Sequence, residues 1–76
     1  MTKDELVLEV SQKSQTSPKE TEQIIDCLVT EIKNKLAEGE KVIISGFGTF
    51  LLTTRNNEKF PHFKSGYNLK KGIQEN

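Results

Sequence analysis

The sequence predicts an α+β fold: a helix hairpin, then a three-stranded antiparallel sheet, then a short C-terminal helix. Three observations predict it. Two capping signatures each open a stretch of helical apolar period within the first 39 residues. After Gly39 the period shortens into β-branched runs. A Gly46-Phe47-Gly48 corner and an Asn56-Asn57 pair then punctuate those runs.

Each element follows from its residues. Thr2-Lys3-Asp4-Glu5 reads as a capping box, in which the Thr2 hydroxyl accepts from the residue 5 amide while Glu5 reaches back. Leu6, Val7 and Val10 then share one helical face, and Ser14-Gln15-Thr16 interrupts the pattern. Ser17-Pro18-Lys19-Glu20 is a second box, with Pro18 at the first helical position, where its missing amide hydrogen costs little. Ile24, Ile25, Leu28, Val29, Ile32 and Leu36 form a continuous stripe, and Gly39 is the natural C-cap. A link of about four residues makes the pair an αα-hairpin.

Val42-Ile43-Ile44 and Thr49 to Thr54 read as strands. Gly46 and Gly48 supply backbone freedom at the corner and hold Phe47 at its tip. Asn56-Asn57 is a tight hairpin turn, because Asn tolerates positive φ. Lys59 to Lys64 is a third strand, and Pro61 confines it to an edge because it donates no hydrogen bond. Tyr67 to Ile73 is a short helix with Leu69 and Ile73 on one face, weakened by Gly72. The organisation is one domain, 1–76, with a helical half (1–39) and a sheet half with its terminal helix (40–76).

Composition bounds the function. A 76-residue domain buries too little surface to be robust alone. The single cysteine, Cys27, forms no internal disulfide, and His62 is the only histidine, so no structural metal site is expected. Oligomerisation is the remaining stabiliser, which points to a dimer. No triad, metal constellation or glycine-rich phosphate loop is present, so the sequence reads as a non-enzyme without cofactor or small-molecule ligand. It shows neither an apolar run long enough to span a membrane nor a signal peptide, so a soluble cytoplasmic protein is expected. Net charge is zero but divided: residues 1–45 carry six basic and nine acidic side chains, and residues 46–76 carry five basic and two acidic. The positive C-terminal half can attract phosphate.

Several motifs carry a resemblance. They are Met1 to Leu6, Ser17-Pro18-Lys19, Leu36 to Val42, Gly46-Phe47-Gly48-Thr49-Phe50, Phe60-Pro61-His62-Phe63-Lys64-Ser65-Gly66 and Leu69-Lys70. With them the chain resembles the HU and integration host factor family of bacterial histone-like DNA-binding proteins. The resemblance implies an intertwined homodimer with a helical base and a sheet saddle. It also implies two β-ribbon arms that enter the minor groove, each with a proline that wedges between base pairs. Here the arm is missing. Only Asn56 to Lys59 separate Arg55 from Phe60, and no Arg-Asn-Pro tip occurs.

From the resemblance, Lys3, Arg55, Lys64 and Lys70 are candidate DNA contacts, and the neighbouring cation Lys71 joins them. Lys3 and Asp26 also stand where the family has a surface ion pair. Thr53 and Tyr67 occupy positions often basic in relatives, which dilutes the saddle. The implied dimer interface takes Ile25, Leu28, Val29, Ile32 and Leu36 from the second helix, and Ile44, Phe47, Phe50 and Phe63 from the corner and strands. Phe50, Phe60 and Phe63 are expected to pack rather than to stack on bases, His62 to be an exposed filler, and Cys27 to be a small buried hydrophobe. The expected function is weak, sequence-independent DNA binding through the saddle with little bending, in the bacterial nucleoid or from a phage gene. The competing expectation is an interaction protein that pairs with a full-length HU-type chain, or binds another protein, without touching DNA.

Overall fold

The computed structural model describes residues 1–75. The elements are α1 (Lys3–Ser14), α2 (Pro18–Ala37), β1 (Val42–Ile44), β2 (Gly48–Arg55), β3 (Glu58–Ser65) and α3 (Tyr67–Glu75). The chain divides into two compact units, Met1–Glu31 and Ile32–Asn76, so the division falls inside α2 rather than at Gly39, where the sequence changes period.

In the first unit the capping box forms in full. The Glu5 amide donates to Thr2 Oγ1 at 3.2 Å, and the Thr2 amide donates to Glu5 Oε1 at 3.2 Å. At the other end of α1, Gln15 takes φ 58° and the Thr16 amide closes on the Ser11 carbonyl at 3.0 Å. Pro18 opens α2, and Ser17 Oγ accepts from the Glu20 amide at 3.1 Å. In both boxes the carboxylate also accepts from the cap hydroxyl, Glu5 from Thr2 at 3.1 Å and Glu20 from Ser17 at 2.9 Å. Val7, Ser11 and Thr21 are the buried positions of this unit.

Cys27 corrects a sequence expectation, because it is exposed. At about 100° per residue it lies on the opposite side of α2 from the half-buried Ile25. Ile24, Leu28 and Val29 are exposed as well, at 62%, 51% and 60%. Half of the apolar stripe is therefore uncovered within one chain, the condition that marks an interaction surface.

In the second unit, α2 ends in a Schellman arrangement. The Gly39 amide donates to the Leu36 carbonyl and the Glu40 amide to the Lys35 carbonyl, both at 3.0 Å, with Gly39 at φ 86°. Leu36 is buried within its own chain. The sheet order is β1-β2-β3, antiparallel throughout. β3 is an edge strand, where Pro61 lacks an amide donor without breaking the ladder to β2.

Two turns set the register. At the corner, the Phe47 amide donates to the Ile44 carbonyl at 3.0 Å, and Gly46, at φ 82°, supplies the positive φ of a type II turn. Gly48 is needed for another reason. A Cβ there would collide with the Phe63 ring and the Lys64 carbonyl, so Gly48 provides space rather than backbone freedom. At the other end, Asn56 (φ 54°) and Asn57 (φ 66°) make a two-residue turn with the positive-φ pair of type I′. Arg55 then stands opposite Glu58. The hairpin thus closes at Asn56-Asn57 and projects no arm beyond that turn. α3 runs through Gly72 to Glu75, slightly further than the sequence pattern reaches.

Candidate nucleic-acid interface

A strand places successive side chains on opposite faces, so the register sorts the sheet. Val42, Phe50 and Phe63 share one face, as do Leu52 and Pro61. There Phe63 meets the Phe47 ring at 5.2 Å and the Phe50 ring at 4.9 Å between centroids, both tilted. The Gly66 amide donates to the Phe47 carbonyl at 2.8 Å, which ties the end of β3 to the corner. This face is the apolar side of the sheet.

The other face carries Thr49, Leu51, Thr53 and Arg55 from β2, opposite Lys64, His62, Phe60 and Glu58 from β3. Arg55 and Lys64 therefore share a face away from the aromatic cluster. His62 and Phe60 lie between them. Phe60 corrects a second expectation. It does not join Phe50 and Phe63, because it lies three positions, an odd step, from Phe63 along β3, and the pleat turns it to the polar side. Sequence reasoning missed His62 and Phe60 as members of this face. The signal is the pairing register, which the structure supplies.

Lys70 and Lys71 lie on α3, whose first bond runs from the Lys70 amide to the Gly66 carbonyl at 3.2 Å. With Tyr67 and Gln74 they line a cleft of about 300 Å³, and the Lys71 ammonium sits 5.9 Å from the Tyr67 ring centroid. These four residues follow helical spacing on one side of α3.

Lys3 stands apart on α1. Its ammonium lies 2.6 Å from an Asp26 carboxylate oxygen, and both side chains are half exposed. The hydrogen bond to Asp26 is the main cause that holds the Lys3 ammonium above its usual range, and burial works against it. A raised lysine pKa makes the pair's contribution fully present below the ordinary lysine range and lost as pH rises through the folded value. Of the two roles the sequence left open for Lys3, the ion pair with Asp26 forms. Among the described residues no cluster of His, Cys, Asp and Glu is arranged to hold a metal. Among the described residues no helix is long and apolar enough to cross a membrane.

The family model for bacterial DNA-binding protein matches residues 1–72. The chain belongs to that family, the HU and integration host factor proteins. It is 35% identical to integration host factor subunit beta of Azotobacter vinelandii over 92 aligned positions, covering 99% of this chain and 100% of the relative. It is 33% identical to DNA-binding protein HU of Thermotoga maritima over 90 positions, covering 97% and 100%. Among solved structures, HU from Thermotoga maritima superposes with a TM-score of 0.85 at 37% identity, over 96% of this chain and 98% of that one. An Anabaena HU–DNA cocrystal structure matches with a TM-score of 0.81 at 25% identity, over 96% and 97%. The α+β order of the HU fold is the one the sequence predicts. HU-family proteins are architectural rather than enzymatic, and the cationic sheet face of this member is consistent with that class.

Proposed function

We propose that this HU-family chain is a histone-like DNA-binding protein of the bacterial nucleoid that contacts duplex DNA through its cationic sheet face, weakly and without sequence preference. The carrying observation is the register that sets Arg55 and Lys64 on the face opposite Phe50 and Phe63. Lys70 and Lys71 on α3 add phosphate contacts. Lys3 contributes less, because its charge already serves Asp26. The working unit is a homodimer, closed over Ile24, Leu28 and Val29 of α2, which are too exposed to be left to water.

Bending is slight in this reading. The hairpin ends at Asn56-Asn57, and the relatives align over 92 and 90 positions against a chain of 76 residues. Residues with no counterpart here account for the excess, as a missing arm requires. No proline stands at the hairpin tip to wedge between base pairs. Each phosphate contact contributes about 0.9 to the log-log salt slope, so a member with few contacts binds appreciably only at low salt. A salt titration with labelled duplex tests the reading, and end-to-end energy transfer on the same duplex reports the bend. Salt-sensitive binding with little change in transfer is expected. Absence of binding at the lowest salt overturns it.

A second reading is favoured by the same exposed stripe on α2. The chain then pairs with a full-length HU-type chain and yields a one-armed heterodimer. Co-expression and native mass spectrometry separate the two, since homodimers alone from a mixed population exclude it.

A further inference from the structure

Phe60 is the phenylalanine that the apolar face does not use. Its exposure matches that of Phe47 and Phe63, at 40% against 42% for each, but the ring contacts among the described residues join Phe63 to Phe47 and Phe50 and leave Phe60 on the other face. It stands opposite Thr53, and His62 stands opposite Leu51. Thr53, Arg55, Phe60, Pro61 and His62 line a cleft of about 310 Å³.

Order along this face matters. Reading from the hairpin tip, the positions are Arg55 with Glu58, then Phe60, then His62, then Lys64. Alternate residues of a strand repeat every ~6.7 Å, so the strip from Glu58 to Lys64 is about 20 Å long. It runs cation, ring, ring, cation. That step is about twice the ~3.4 Å rise per nucleotide of a stacked strand. Successive rings therefore miss a stacked duplex and suit bases drawn apart on an unstacked strand. Aromatic platforms flanked by cations are the general means of holding such strands. Glu58 opposes Arg55 and weakens that end, which makes Lys64 the stronger phosphate contact.

We infer that the outward face of the β2–β3 hairpin is a track for unpaired DNA, with Phe60 and His62 as platforms for two successive bases and Arg55 and Lys64 holding the flanking phosphates. The inference rests on the DNA-binding reading above and names a second substrate form for the same face.

Fluorescence anisotropy with labelled oligo(dT), beside the matching duplex in the same low-salt buffer, tests it. The variants are Phe60→Leu, which keeps apolar volume but removes the π-face, and Phe60→Tyr, which keeps the ring. Circular dichroism checks that both fold. Phe60→Leu is expected to weaken oligo(dT) binding by about tenfold, the loss of one stacked base, and to weaken duplex binding by far less. Phe60→Tyr restores oligo(dT) affinity. A 2-aminopurine placed in the oligonucleotide should lose fluorescence on the wild-type protein and keep it on Phe60→Leu. Equal oligo(dT) affinity for wild type and Phe60→Leu overturns the track. Failure of the wild type to bind oligo(dT) overturns it too. In that case duplex binding in the parallel titration shows that the proposed function stands without the track, and its absence shows that both fail.

Discussion

Phe60 and Phe63 lie on the same strand, three residues apart, yet the pleat sends them to opposite faces. Phe63 packs between Phe47 and Phe50, in space that Gly48 leaves open. Phe60 stands beside Arg55 and His62. The two rings have identical chemistry and different neighbours. One face of the hairpin spends its aromatic residues on cohesion, and the other presents a ring among charges. The difference teaches that residue type does not assign a role on a sheet. Parity along the strand does.

The comparison can be broken most directly at Gly48. Gly48→Ala should destabilise the protein by about 3 kcal/mol in urea unfolding, because neither the Phe63 ring nor the Lys64 backbone can yield easily. An unaltered midpoint would show that the apolar face is not closely packed there. Next in size is the contrast between the two rings. Phe63→Leu should cost about 2 kcal/mol, since it removes two ring–ring contacts, whereas Phe60→Leu should cost under about 0.5 kcal/mol. Equal costs would erase the distinction between the faces.

A smaller effect sharpens the polar side. Lys64→Gln should lower the salt slope of duplex binding by about 0.9 per protomer while leaving the unfolding midpoint in place. A shifted midpoint with an unchanged slope would make Lys64 structural. The smallest expected effect concerns the turn that sets both faces. Asn57→Gly should raise stability by about 0.5 kcal/mol, because glycine takes φ 66° without a Cβ penalty. A loss of stability would question the type I′ assignment and with it the register.

Much of the fold was legible because it is written in local chemistry. Thr2 and Glu5 announce the start of α1, Pro18 the start of α2, and Gly39 the end of α2. Asn56-Asn57 announces the hairpin, and Pro61 the edge strand. These signals act within a few residues, where sequence proximity is spatial proximity. The candidate site was legible in its cations alone. Arg55, Lys64, Lys70 and Lys71 carry charge wherever they fold, and the family resemblance picks them out from the other cations.

The sequence by itself determined the order of elements, the closing of the hairpin without an arm, and the concentration of positive charge in the second half. Each of these depends on residue identity and short-range backbone preference. Only the tertiary structure decided that Phe60 leaves the aromatic cluster and that His62 joins Arg55 and Lys64. It alone showed that Gly48 makes room for Phe63, that Cys27 is exposed, and that Lys3 is held by Asp26. Those outcomes depend on register and on which side of a helix is covered. A shift of one residue in strand pairing reverses every facing, and no single residue type records it.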